Sequence, residues 1–407
     1  MTSRPLARRV LYISYDGVLE PLGESQVVAY LERLSLRATI TLLSFEKPVD
    51  LADETRLGAM RRRLQGAGIS WLARRYRKRP PVMSTALDIL AGCQVARRWA
   101  KDGDRGIVHA RGYVPALMAL AVKRVSDARF LFDMRGFWVD EKVEAGQWKA
   151  DGLLYRVGKY CERRFFGEAD AIVSLTRAGV HELPKLGTVK SGIPVAVIPT
   201  CADLDRFQPG AGDVRLRREL GLDGAKVFGC VGTLSNWYLR EETLSYLAWA
   251  ARKFEDMKAL IVTRDDHGAL RADAERLGLP ADRLVVTRAS FDDMPALIQL
   301  MDLGVFFIRA CFSKRASAAT KLAEFLGSGV PVVINDGIGD SGEIVRSGGV
   351  GAVLPDTSLE AFESSLTFVT HLLSDRQTAA RCRDVAVREF SLERGVRQYA
   401  ELYEQLS

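Results

Sequence analysis

The sequence has little sulfur chemistry and little imidazole. Its six cysteines, at 93, 161, 201, 230, 311 and 382, form no C-x-x-C pair and no metal-ligand spacing. That argues against a disulfide framework and a thiolate metal site, leaving reduced core residues of a cytosolic protein. Only four histidines are present, and no metal site is expected. No apolar run approaches the ~20 residues that span a bilayer. The basic start has an apolar stretch, Val10–Ile13, too short for a signal-peptide core. A protein neither secreted nor membrane-spanning is expected. Low-complexity tracts, short internal repeats and a G-x-G-x-x-G phosphate loop are all missing.

What is there is ordinary in amount and uneven in placement. With 407 residues, 47% hydrophobic and 27% charged, the composition is globular, and a prior of ~150 residues per domain gives two or three domains. The net charge of +7 is a sum of opposites. Residues 1–200 hold 33 basic and 21 acidic side chains; residues 201–407 hold 25 and 30. No acid falls between Glu54 and Asp88, while Arg61, Arg62, Arg63, Arg74, Arg75, Arg77, Lys78 and Arg79 do, interleaved with Leu64, Ile69, Trp71, Leu72 and Tyr76. This cluster suits an anionic surface, and a membrane face is expected of it. No nucleic-acid motif accompanies it, so nucleic acid is not an expected partner.

Continuous apolar strands alternate with helices along the chain. Strands are expected at 8–16, 38–45, 70–75, 106–111, 129–136, 170–176 and 195–200, and a second set at 226–234, 258–264, 282–289, 302–308, 331–337 and 349–354. Helices are expected over 25–35, 53–68, 83–102, 115–125, 241–254, 294–301 and 321–327, with a helical tail after Ser391. Buried parallel strands in two sets predict an α/β protein of two doubly wound domains. The expected division is 1–205 and 206–390, with the helix at about 391–407 packing back on the first domain. Such folds bind ligands beyond the carboxyl ends of their strands.

Candidate functional residues therefore sit just after strands. Gly23, in PLGESQ, gives close backbone approach at a helix start. His109, Arg111 and Gly112 end the fourth strand. The segment DMRGFWVDE brings Asp133, Arg135, Trp138, Asp140 and Glu141, with groups that hydrogen-bond hydroxyls or pair with phosphate and an indole that stacks. In the second set, Gly232, Thr233, Ser235 and Asn236 suit phosphate oxygens. Next come Arg309, Lys314, Arg315, Ser317, Thr320 and Lys321, cations on a loop entering a helix that Ser317 or Thr320 would cap. Dipole, free N–H groups and lysine together make an anion site. Glu324, one turn on, can hold a ribose diol.

At these residues the sequence resembles glycosyltransferase family 4 and its relatives of GT-B architecture. VAVIPTCADLDRFQP (195–209) is similar to the family's interdomain "VIPNGVDLxxFxP" segment. KLAEFLGSGVPVV (321–333) resembles its "E-A-x-A-x-G-x-P-V-V" donor helix. YISYDGVLEPLGESQV and VGTLSNWYLREETL resemble a branch acting in bacterial surface-polysaccharide assembly. The resemblance implies two Rossmann-like domains facing a central cleft. It implies retaining, metal-independent sugar transfer from a nucleotide-sugar (UDP- or GDP-linked, as substrate rather than cofactor) to a glycan or lipid-linked acceptor, on the inner face of the cell membrane. It would place Gly23, Thr233, Asn236, Arg309, Lys314, Ser317, Thr320, Lys321 and Glu324 at the donor. Arg111, Arg135 and Trp138 would meet the acceptor, and His109, Asp140 and Glu141 would handle protons or orient it. The chain departs from the pattern in three places. Ala316 stands where the first of two paired glutamates belongs. Thr233, Ser235 and Asn236 replace an Arg…Lys pair after the first strand of the second set. Arg111 replaces a second histidine. Two alternatives stay open: a non-catalytic scaffold or carbohydrate binder, and a nucleotide-sugar 2-epimerase.

Overall fold

The computed structural model describes residues 8–101 and 105–407, so most of the basic start and the expected helix end at Asp102 lie outside the described residues. The chain divides into two compact units. One comprises 1–199 with 392–407, the other Thr200–Ser391. The boundary thus precedes the Pro209–Gly212 punctuation on which the sequence-based division rested.

The first unit is a seven-stranded parallel sheet. Its strands are β1 (Arg8–Ser14), β2 (Ala38–Glu46), β3 (Ser70–Arg75), β4 (Ile107–Arg111), β5 (Arg129–Asp133), β6 (Ala171–Ser174) and β7 (Val195–Val197). They lie in the order β3-β2-β1-β4-β5-β6-β7. The order reverses between β1 and β4, and at such a switch point the connections leave in opposite directions and open a crevice at the strands' carboxyl ends. The helix Leu392–Gln405 packs on this unit against Ala29–Leu34.

The second unit is a six-stranded parallel sheet of β8 (Lys226–Val231), β9 (Met257–Val262), β10 (Leu284–Thr287), β11 (Leu303–Val305), β12 (Val332–Asn335) and β13 (Gly351–Leu354). The order is β10-β9-β8-β11-β12-β13, with its switch point between β8 and β11. Alternation along β8 shows why the strands read as continuous apolar runs. Val227 and Val231 enter one core with Leu260, Phe306 and Phe325. Phe228 and Cys230 enter another with Trp249, Ala259 and Ile261. Both faces are covered, so Val227–Val231 carries no charged or amide side chain.

Strand starts match the sequence-based expectation closely; β2, β3, β4 and β13 also end within a residue of it, and the other strands end short. β5 was expected to reach Gly136 and stops at Asp133, because Arg135 (φ 56°) and Gly136 (φ 133°) turn the chain out of the sheet.

Candidate active site

In the second unit the β8 end is built around a buried cation. Lys321 is 6% exposed, and its Nζ makes no hydrogen bond among the described residues. The ammonium lies 3.4 Å from the Tyr238 ring centroid and 5.6 Å from that of Phe306. A side chain at Gly232 would come within 3.8 Å of it. Gly232 has φ +80°, a conformation that leaves the backbone bare at the strand tip. Burial lowers the Lys321 pKa and raises that of Glu324 to about 7, the second effect partly offset by Lys321 itself. Both shifts have one cause: a low-dielectric pocket disfavours either charge.

Ala319 precedes the helix Thr320–Gly327 as its N-cap residue and offers no side-chain cap. This corrects the expected capping by Ser317 or Thr320. Thr320 is the first helical residue, and Ser317 donates its backbone N–H to Lys314. Helix dipole and open N–H groups remain at that end. Lys314 and Arg309 both lie over the Trp237 ring, at 3.8 and 4.6 Å from its centroid, Lys314 buried and Arg309 exposed.

Thr233 is tied to a residue that sequence reasoning missed. Asp265, just past β9, accepts from the Thr233 hydroxyl (3.0 Å) and the Leu234 N–H (2.8 Å), fixing the loop after β8. Asn236 is exposed and left-handed (φ 63°), which makes it a turn residue. Asn335, also missed, both accepts from the Ile308 N–H and donates to the Ile308 carbonyl, each at 2.8 Å, locking the loop after β11. Tyr238 and Trp237 were visible in the sequence only as part of a quoted segment; their burial against lysines gives no local signal.

In the first unit a cavity of about 150 Å³ opens at the β1/β4 switch point, lined by residues that include Arg111, Arg135, Trp138 and Glu141. Three expected acceptor residues and one proton-handling candidate thus come together. Asp140 sits apart: Lys159 donates to it at 2.9 Å and Tyr155 at 3.3 Å, and Lys159 also pairs with buried Glu162. A carboxylate held in this way is structural.

His109 is a correction. Its ring is fully buried, tilted against Tyr12 (centroids 4.3 Å apart) and hydrogen-bonded through Nδ1 to the Tyr403 hydroxyl at 2.7 Å. Nε2 faces Asp133 at 3.7 Å, and burial lowers its pKa. Within its unit the imidazole has no open side for an acceptor. Burial alone would raise Asp133, but Arg135, His109 and Arg111 hold it below the usual carboxylate value.

Gly23 is a second correction. A side chain there would strike Gly17 O at 2.0 Å, so the close approach is to the chain's own loop. That loop is held by Glu46, at the end of β2, which accepts from the N–H groups of Val18 (3.0 Å) and Leu19 (3.2 Å) and from Ser44 (2.5 Å). The Arg-rich cluster is also partly committed: Arg63 pairs with Glu24 and Glu32, Arg77 with buried Asp88, and the Trp71 indole donates to Ser44.

Residues 25–220 match the family described as "Glycosyl transferase 4-like domain", and residues 225–371 that described as "Glycosyl transferases group 1". This chain belongs to the GT-B glycosyltransferases. The GT-B fold recurs in solved structures of low identity. These include a glycosyltransferase from Rickettsia africae (14% identity, 98% of this chain and 99% of that one, TM-score 0.71). Anabaena HepE in complex with UDP-glucose matches at 18% (98% and 100%, TM-score 0.71), and sucrose-phosphate synthase from Thermosynechococcus elongatus at 13% (98% and 99%, TM-score 0.74). A D-inositol 3-phosphate glycosyltransferase from Corynebacterium jeikeium is 31% identical over 134 residues. That match spans only about a third of each protein, 32% of either length.

Proposed function

We propose that this GT-B protein transfers a sugar from a nucleotide-sugar to a glycan or lipid-linked acceptor in bacterial cell-surface polysaccharide assembly, with retention and without a metal. The observation carrying the donor half is the Lys321 ammonium, buried at the switch-point end of β8 without a hydrogen bond among the described residues. A buried ammonium is costly unless an anion answers it. A nucleoside diphosphate there would meet Lys321 and the open N–H groups of the Thr320–Gly327 helix. Fixed charges of this kind stabilise the leaving diphosphate without reorganisation. Glu324, ionised, would accept from the ribose diol, and Thr233 would contact a phosphate oxygen. Lys314 and Arg309 border the transferred sugar in this reading. UDP is the first nucleotide to try, since HepE was solved with UDP and UDP-glucose. Arg111, Arg135 and Trp138 would hold the acceptor, with Glu141 rather than His109 orienting its hydroxyl.

For localisation we propose a cytoplasmic protein resting on the inner membrane face. No helix among the described residues is long and apolar enough to cross a membrane. The exposed cations Arg61, Arg62, Arg74, Arg75, Lys78 and Arg79 precede exposed Val82, Met83, Leu87 and Leu90 in the chain, a combination that suits anionic lipid.

A thermal-shift screen with UDP, GDP, CMP and TDP tests the donor reading. One nucleotide is expected to raise the melting temperature and lose that effect in Lys321→Ala. No shift with any of the four would favour the scaffold alternative.

A further inference from the structure

The β1/β4 cavity has a chemistry more specific than general sugar binding. Two arginines reach it from adjoining strand ends. Arg111, at the end of β4, is 7% exposed, and its Nε is buried with no hydrogen-bond partner among the described residues. Its nearest opposite charge is Asp16 at 3.9 Å, a carboxylate 63% exposed to water. Arg135, its side chain 16% exposed, takes the left-handed conformation that carries it out of β5 and meets Asp133 at 3.8 Å. Neither guanidinium is within hydrogen-bond distance of any of these oxygens. The cavity wall continues through Gly112–Pro115 into the helix Tyr113–Lys123, whose start has no side-chain cap.

We propose that this cavity binds an oxyanion, the phosphate or carboxylate of an acidic acceptor, gripped by Arg111 and Arg135. The proposal rests on the acceptor reading above and narrows it. Planar guanidinium forks match paired oxyanion oxygens, and burial strengthens each such bond. A neutral sugar would leave the buried Arg111 fork facing only a solvated carboxylate, and Arg135 with only the distant Asp133 oxygen. Two acids, Asp16 and Glu141, line the cavity, and Asp133 meets Arg135 from outside that lining. Asp133 already accepts from Tyr399 at 3.0 Å and faces Arg135. Asp16 is solvated and stands at the outer limit of an ion pair. Glu141 lines the wall and is suited to accept from a hydroxyl of the same ligand, while Trp138 supplies a ring face.

Calorimetric titration of the full chain with inorganic phosphate, glucuronate and glucose tests this. Saturable binding of phosphate, of glucuronate or of both is expected, none of glucose, with the anion that binds naming the source. Arg111→Gln/Arg135→Gln should weaken it about tenfold or more, roughly 1.4 kcal/mol. Asp16→Asn, at an exposed position that leaves the fold untouched, should tighten it. Lys321→Ala should leave the arginine-dependent part of it unchanged, which separates this cavity from the nucleotide site. Absence of anion binding, binding unaltered in the arginine double variant, or binding lost in Lys321→Ala would overturn the proposal. Nucleotide shifts recorded on the same samples stand or fall independently.

Discussion

Replacing Lys321 with methionine should make the protein more stable and unable to hold nucleotide. The ammonium is buried, donates no hydrogen bond among the described residues, and is offset by the Tyr238 and Phe306 rings and by Glu324 and Asp265 nearby. An unpaired buried cation costs several kcal/mol, and a desolvated cation–π contact returns about 2 kcal/mol. Methionine keeps the stem's volume and removes the charge. The net gain should be about 1–3 kcal/mol, and a unit of this size shifts by about 2–4 °C per kcal/mol. The same change removes a charge-assisted contact to the diphosphate. Truncating one partner of a buried charge pair costs about 2–5 kcal/mol, a loss of thirtyfold to several thousandfold in nucleotide affinity. Thermal melts of wild type and Lys321→Met, with and without UDP, read both effects at once. A variant that melts lower and still responds fully to nucleotide would refute the reasoning, since Lys321 would then be satisfied by its surroundings.

Other outcomes follow from groups around the two sites. Glu324, raised to about 7 by burial, favours its protonated form in the folded state. Its contribution is present below the unfolded value of 4.5 and lost as pH rises through about 7. Melting temperature without nucleotide should therefore fall between pH 5 and 8, by an upper figure of roughly 3 kcal/mol, reduced by the side chain's partial exposure. Glu324→Gln should remove that component, which melts at stepped pH will show. Glu46→Ala leaves the N–H groups of Val18 and Leu19 buried and unmatched, so urea unfolding should show a loss of about 2–4 kcal/mol. Asp265→Asn should loosen the Thr233 loop, raising KM for the donor several-fold with a smaller change in kcat. His109→Phe, packed among Tyr12, Tyr399 and Tyr403, should retain activity at reduced stability; an inactive but well-folded variant would restore the catalytic assignment.

The fold was legible because its signal is periodic. Apolar runs bounded by turn residues mark each parallel strand, and the thirteen strands observed among the described residues all overlap expected ones. Strand ends were less legible, since leaving a sheet depends on individual dihedral angles. Met134-Arg135-Gly136 reads as more strand until Arg135 takes φ 56°. The helix Leu153–Glu168 escaped notice for a related reason. Leu153, Leu154, Val157 and Tyr160 are exposed, so its apolar residues do not mark a single buried face.

The site was legible where chemistry is local and opaque where it depends on distant chain. Lys321 and Glu324 stood out through spacing within one helix, yet nothing in the sequence shows that this lysine is buried, because lysine is ordinarily exposed. Its burial comes from Tyr238 and Phe306, on two other loops. His109 failed in the opposite direction. A histidine at a strand end looks available until Tyr399 and Tyr403 arrive from a helix nearly the whole chain away and close over it. Tyr399 also donates to Asp133, leaving Arg135 with one distant carboxylate oxygen and Arg111 with only a solvated one. The terminal helix thus removes one candidate from chemistry and, by occupying the acid between the two arginines, leaves their forks to an anion from outside.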